Sequence, residues 1–305
     1  MDRIIFLDYL SRSGSTLLAT KLNDLIDCEV TIETRITKSY DPFEIKIKDN
    51  NDVNNFLNFF NSYKKNEVWN IKHHDLISIL SKIKVVRYYD LLKEILKKRD
   101  YNFLNKTTIV KGGGNYIINY KRYAKNVENL KIIALYRDPR AIYNSQLKSI
   151  DSHLKKPMAK GIYDFCFTFN RYKRNLNRYA SSNILVVSFD ELVLNSEIIL
   201  KKCTNFLEIN NKITENNNYF DSIPKSQKHL HKNIKSKKGL IEKIDLWKDE
   251  LPVKYKRIIE VICFRENSSN SLVSLVFYYR ILFIYSIYFF KNIISTNYKY
   301  LKNEI

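Results

Sequence analysis

The sequence predicts an α/β fold: one domain with a central, mostly parallel sheet flanked by helices, then a helical C-terminal extension. Three observations predict it. Short apolar runs bounded by turn residues alternate with segments of helical spacing, the pattern of parallel strands joined by helical crossovers. The chain has 305 residues and 45% hydrophobic content, enough for one large core. Only 6 Gly and 5 Pro occur, which argues against linkers and low-complexity tails, and no repeat with a period of about 20–50 residues is visible.

The elements follow in order. Ile4–Leu10 is short, apolar and closed by a turn, and reads as the first strand. Thr16–Ile26 reads as a helix with Leu17, Leu18, Leu22, Leu25 and Ile26 on one stripe. "CEVTIET" (Cys28–Thr34) is a second strand with a polar end. "DVNNFLNFFNSY", "HDLISILSKI" and "RYYDLLKEILKKR" have helical spacing. "TTIVKGGG" (Thr107–Gly114) is a strand running into a glycine triplet. Lys131–Tyr136 is a strand, followed by a turn at Asp138–Pro139 and a helix; Ile184–Ser188 is a strand followed by a helix start. Helices fill much of the remainder. In a parallel sheet, ligands gather beyond the carboxyl ends of the strands. The loops after Leu10, Val110, Tyr136 and Ser188 should therefore face one side. The division read from the sequence is residues 1–265 for the domain and 266–305 for the extension.

Charge and cysteine usage narrow the class. The chain carries 52 Lys+Arg against 32 Asp+Glu, a net charge of +20. Such a field attracts polyanions, although a chain rich in Lys, Asn and Ile would carry it without any such partner. No nucleic-acid motif and no compact arginine stripe is present, so no nucleic-acid partner is expected. Cys28, Cys166, Cys203 and Cys263 are far apart and lack zinc-ligand spacing, as reduced thiols of a cytoplasmic protein would be. "MDRIIFLDYL" is too short and acidic for a signal peptide and reads as a strand. Ser271–Ile294 is apolar and aromatic, interrupted by Arg280 and ended by Lys291. It fits a membrane interface best, with a buried terminal helix and a true span as alternatives. The expected location is cytoplasmic, peripheral on an inner membrane.

Two loops carry the most distinctive chemistry. In "FLDYLSRSGSTLLATKL" (Phe6–Leu22) a strand meets "SRSGST" and then a helix. Turn amides and the unpaired N–H groups of a helix start converge on an anion. Gly14 permits close approach, Ser13, Ser15 and Thr16 add hydroxyls, and Arg12 adds a forked cation. The loop is P-loop-like but lacks the lysine and first glycine of GxxxxGK[ST], which argues against Mg²⁺-triphosphate hydrolysis. The plainer reading is a helix cap by Ser13 or Ser15. In "LYRDPRAIYNSQLKS" (Leu135–Ser149), Arg137 ends a strand and Ser145 lies about two turns into the next helix. The plainer reading there pairs Arg137 and Arg140 with Asp138.

Together, "RSGSTLL" and "YRDPRAIYNS" resemble the two nucleotide-binding signatures of sulfotransferases, in the same order and at similar separation. The resemblance is towards the bacterial carbohydrate and tyrosylprotein branches. It covers about residues 4 to 150, with weaker features towards residue 251. It implies the sulfotransferase fold and 3′-phosphoadenosine 5′-phosphosulfate (PAPS) as donor, with 3′,5′-ADP as product and no metal. By resemblance, Arg12, Ser13, Gly14, Ser15 and Thr16 surround the 5′-phosphosulfate, and Arg137 and Ser145 hold the 3′-phosphate. "TIETRI" (Thr31–Ile36) is similar to a Glu-Thr-Arg stretch in which glutamate is the base: Glu33 would be the base and Arg35 an acceptor-side cation. An ordinary strand end with an ion pair is the plain alternative. Lys111 occupies the place of a lysine that stabilises the transferring group, although "KGGGNY" departs from the family's segment. "HLHKNIKSKKGLIEKIDLWKDEL" (His229–Leu251) is similar to a basic segment that covers the donor, with Lys232, Lys235, Lys237 and Lys238 as candidates and Trp247 as packing. "SFDELV" reads as structural. His73, His74 and His153 are rival bases. The implied acceptor is a glycan or peptide hydroxyl, with a small alcohol or lipid third; binding of a nucleotide or polyanion without transfer is the alternative class.

Overall fold

A computed structural model describes residues 4–31, 33, 49–61, 72–81, 88–98, 106–112, 116–127, 129–150, 156–159, 161–210, 212, 219, 237–264 and 272–302. In chain order the elements are β1 (Ile4–Tyr9), α1 (Ser15–Asn23), β2 (Cys28–Val30), α2 (Asn50–Asn61), α3 (His73–Ser81), α4 (Tyr88–Lys98), β3 (Thr107–Lys111), α5 (Tyr120–Asn126) and β4 (Ile132–Tyr136). They continue with α6 (Pro139–Lys148), α7 (Ile162–Arg178), β5 (Ile184–Ser188), α8 (Phe189–Leu194), α9 (Ser196–Leu207), α10 (Lys237–Asp245), α11 (Trp247–Glu250) and α12 (Val253–Ile259). A π-helical turn, Glu260–Phe264, and α13 (Leu272–Lys302) complete the chain. The strands form one sheet in the order β2–β3–β1–β4–β5, and every pairing is parallel. The predicted fold class therefore holds. Two compact units make up the chain: Met1–Arg137 with Asn175–Ile241, and Asp138–Arg174 with Glu242–Ile305.

The first unit holds the sheet. All six residues of β1 are buried, as expected of a central strand covered on both faces. One of them is acidic: Asp8 is fully buried, and its Oδ2 accepts from the Ile117 amide at 2.7 Å. That bond holds the chain beyond β3 against the end of β1. Phe6 packs on Tyr116 at 4.4 Å between ring centroids, and Tyr116 meets Tyr123 edge-on at 4.9 Å. Two boundaries differ from the sequence reading. Helix α1 stops at Asn23, so Ile26 lies beyond it and is 39% exposed, while its amide donates to the Lys212 carbonyl at 2.9 Å. Strand β2 is three residues long, although Thr31 still donates to the Ile109 carbonyl at 2.9 Å.

The second unit is helix packed on helix. Asp138 caps α6 by accepting from the Arg140 amide at 2.7 Å, with Pro139 at the first turn. The Arg140 guanidinium is the hub. It pairs with Asp138 at 2.7 Å and Glu260 at 3.1 Å, and it lies 4.0 Å from the Trp247 ring centroid and 4.9 Å from that of Phe264. Burial alone would lower its pKa, but the two carboxylates raise it above the ordinary arginine value. Trp247 is thus a packing residue, as read. Helix α7 serves the carbonyls of the π turn: Asn170 donates to Ile262 O at 3.1 Å and Lys173 to Cys263 O at 3.3 Å. Among the described residues, no helix is long and apolar enough to cross a membrane. All four cysteines are free and buried, and burial pushes the Cys203 thiol up to about 12.

Arg140→Ala leaves two part-buried carboxylates without their cation and two rings without their guanidinium. Urea unfolding should show a loss of about 2 kcal/mol. Arg140→Lys should recover less than half, because an ammonium cannot fork between both acids and stack on both rings. A change below about 0.5 kcal/mol in the alanine variant would contradict the hub assignment.

Candidate active site

Because all five strands run the same way, their carboxyl ends share one edge. The strand order places β1 between β3 and β4. From β1 the chain runs through β2 to β3 on one side and then crosses to β4 on the other, and ligands of such sheets bind at that switch point. The loop after β1, Lys111 at the end of β3 and Arg137 after β4 all stand there.

The loop itself is tightly turned. Arg12 and Gly14 both have left-handed backbones, with φ of 74° and 99°. Successive amides in such conformations point inward and form a concave nest. Gly14 takes the cap position of α1, and no side chain caps the helix there. The capping alternative for Ser13 and Ser15 therefore fails, and the first-turn N–H groups are directed at the loop. Ser13 is fully buried, and its Oγ has no hydrogen-bond partner among the described residues. An orphaned hydroxyl next to a helix start is what an oxyanion would satisfy. Gly14 is also required by packing: a Cβ there would lie 2.2 Å from the Phe189 ring.

Two buried cations flank the loop. Lys111 is 6% exposed, and its Nζ donates to Thr16 Oγ1 at 3.1 Å. Its ammonium lies 5.6 Å and 5.7 Å from the ring centroids of Tyr9 and Tyr219. Its amide donates to Thr31 Oγ1 at 3.2 Å, and the Tyr219 hydroxyl donates to the Thr31 carbonyl at 3.3 Å. Arg137 is 7% exposed. Its Nη1 donates to the Arg12 carbonyl at 3.1 Å, and its guanidinium lies 4.1 Å from the Phe189 ring centroid. Arg12 itself is pushed below the ordinary arginine pKa by burial, yet remains cationic. Gly112 follows Lys111, and its missing side chain makes room for Tyr116, whose ring a Cβ would meet at 2.0 Å.

The family model of the Sulfotransferase family matches residues 5–212. The chain belongs to the sulfotransferase family. Two solved structures agree in fold. The sulfotransferase domain from the curacin biosynthetic pathway is 15% identical and superposes with a TM-score of 0.53, covering 87% of this chain and 99% of its own. The sulfotransferase domain of the Synechococcus PCC 7002 olefin synthase is 14% identical with a TM-score of 0.53, covering 88% and 96%. The mouse sulfotransferase SULT7A1, solved complexed with PAP, has 14% identity and a TM-score of 0.47, covering 90% and 88%. A search of curated protein sequences finds no match.

Within this sulfotransferase fold, the predicted loop residues Arg12 to Thr16 are brought together with Lys111 and Arg137. Glu33 is half-buried and lies two residues past Thr31, whose side chain and carbonyl engage Lys111 and Tyr219. Ser145 is on α6 in the second unit. Lys238 is exposed on α10. Arg35, Lys232, Lys235 and His153 lie outside the described residues. His74 is exposed and lies 3.5 Å from Asp75 on α3, far in sequence from both loops. Arg140 pairs with Asp138, as the plain reading had it, but Arg137 turns to the loop instead. Phe189, Tyr9 and Tyr219 escaped the sequence reading. "SFDELV" looked structural, and only the pairing of β4 with β5 reveals its Phe189 beside Arg137.

Gly14→Ala should cost at least tenfold in affinity for 3′,5′-ADP by calorimetry. Adding Phe189→Ala removes the clash but not the positive φ, so only part of the loss should return. An unchanged affinity in Gly14→Ala would refute the loop geometry.

Proposed function

We propose that this sulfotransferase moves a sulfuryl group from PAPS to a hydroxyl of a glycan or similar cell-surface acceptor, at the surface of a membrane. The observation that carries the reading is the triple of Arg12, Lys111 and Arg137 around one nest-forming loop, with a buried orphan hydroxyl inside it. A phosphosulfate suits that set because it presents many acceptor oxygens and no donors. When bound, the donor supplies an activated sulfuryl group, whose transfer breaks its bond to a phosphate oxygen and forms one to the acceptor oxygen.

The residues act by position and charge. The loop amides and the hydroxyls of Ser13, Ser15 and Thr16 hold the 5′-phosphosulfate, and Arg12 sits beside them. Lys111 is locked by Thr16 and by two tyrosine rings, so its ammonium is set before the acceptor arrives. A fixed charge of that kind stabilises developing negative charge without reorganisation. Arg137 recognises the 3′-phosphate, and Lys232 and Lys238 belong to the segment that covers the nucleotide. Glu33 takes the proton of the acceptor hydroxyl, and Arg35 binds on the acceptor side. The acceptor class rests on the +20 charge and on the aromatic C-terminal helix.

The test is transfer from radiolabelled PAPS to separate pools of glycan, tyrosine peptide and apolar alcohol. Label in the glycan is expected. Label in the peptide alone would move the reading to protein tyrosine, and tight 3′,5′-ADP binding with no labelled pool would reduce it to nucleotide binding. Glu33→Gln should lower kcat by about 10²–10⁴-fold while 3′,5′-ADP affinity stays within twofold. Retained turnover would remove Glu33 as the base.

A further inference from the structure

Helix α13 has two unlike faces. On one, Tyr288 donates to the Asp164 carboxylate, the Tyr285 hydroxyl accepts from Asn170 Nδ2 at 3.4 Å, and Phe289 meets Phe167 at 5.8 Å between ring centroids. These contacts fasten α13 along α7, and Ile281 is buried. On the other face, Val276, Tyr279, Phe283, Ile287 and Phe290 are 55–67% exposed. At 3.6 residues per turn, these five positions fall within roughly a quarter of the helix circumference, and the stripe runs about 21 Å along the axis. Arg280 and Lys291, both exposed, stand eleven residues apart and therefore on one flank of the stripe.

A continuous row of exposed aromatic and aliphatic side chains is unusual on a folded surface, where such residues are normally scattered. Its charge setting says what covers it. The sequence from Leu272 to Lys302 contains four basic residues and no acidic one. We infer that this stripe docks the chain on an anionic lipid surface, with the helix lying in the interface plane. The stripe enters the acyl boundary, its tyrosine and phenylalanine rings sit at headgroup level, and Arg280 and Lys291 extend to lipid phosphates. A second copy of this chain fits poorly. Stripe against stripe would gather four exposed cations with no carboxylate on either helix to answer them. The inference rests on the peripheral placement proposed above and identifies the surface that achieves it.

Full-length protein should cosediment with vesicles of phosphatidylcholine mixed with phosphatidylglycerol, and at least tenfold more weakly with phosphatidylcholine alone. The double variant Phe283→Glu/Phe290→Glu should lose vesicle binding with its urea midpoint unchanged, because both side chains are exposed. Arg280→Ala/Lys291→Ala should weaken binding by roughly 30-fold. Undiminished sedimentation of the glutamate variant would overturn the inference, as would wild-type protein that ignores anionic vesicles. A wild-type dimer in light scattering that the glutamate variant splits, without vesicle binding in either, would assign the stripe to self-association instead. Binding of 3′,5′-ADP, measured without vesicles, reports on the transferase reading separately.

Discussion

The contact between Arg137 and the Arg12 carbonyl ties the end of β4 to the loop after β1. Everything at the sheet edge depends on it. The carbonyl that accepts this bond belongs to a residue in a left-handed conformation, so the same bond supports the turn of the loop. Phe189 closes the arrangement from the start of α8, directly after β5. Its ring lies under the guanidinium and against Gly14, leaving no space for a Cβ. One aromatic side chain thus enforces both the glycine and the arginine rotamer.

The electrostatics follow from that frame. Loop, Lys111 and Arg137 gather positive charge where water is largely excluded, and uncompensated burial of cations is costly. A hydroxyl, a carbonyl and three aromatic rings contact these cations locally. The second unit holds its arginine differently. Arg140 is answered by two acids and two rings, so its charge is consumed in holding helices together.

How much was legible in the sequence differs between these two arginines. The strand–loop–helix of Phe6–Leu22 and the strand–turn–helix around Arg137 were readable because turn chemistry and short apolar runs are local signals. The pairing of Arg140 with Asp138 was readable for the same reason. Arg137 with the Arg12 carbonyl was not, because a backbone acceptor leaves no mark in the residue pattern. Phe189 hid within an apolar run that any strand-to-helix junction could show. Ile26 fitted the helical stripe, yet the chain turned at Asp24 to bring β2 beside β3. The two faces of α13 were also hidden, since the segment is apolar almost all round and only contact with α7 distinguishes them.

The proposed function requires this sheet edge to distinguish a 3′-phosphorylated nucleotide from other anions. The most direct measurement is calorimetric titration of the full chain with 3′,5′-ADP and with 5′-AMP, in the wild type and in Arg137→Ala. The wild type should bind 3′,5′-ADP at least tenfold more tightly than 5′-AMP, and Arg137→Ala should lose most of that difference. Equal affinity for the two nucleotides in the wild type would contradict the proposed function.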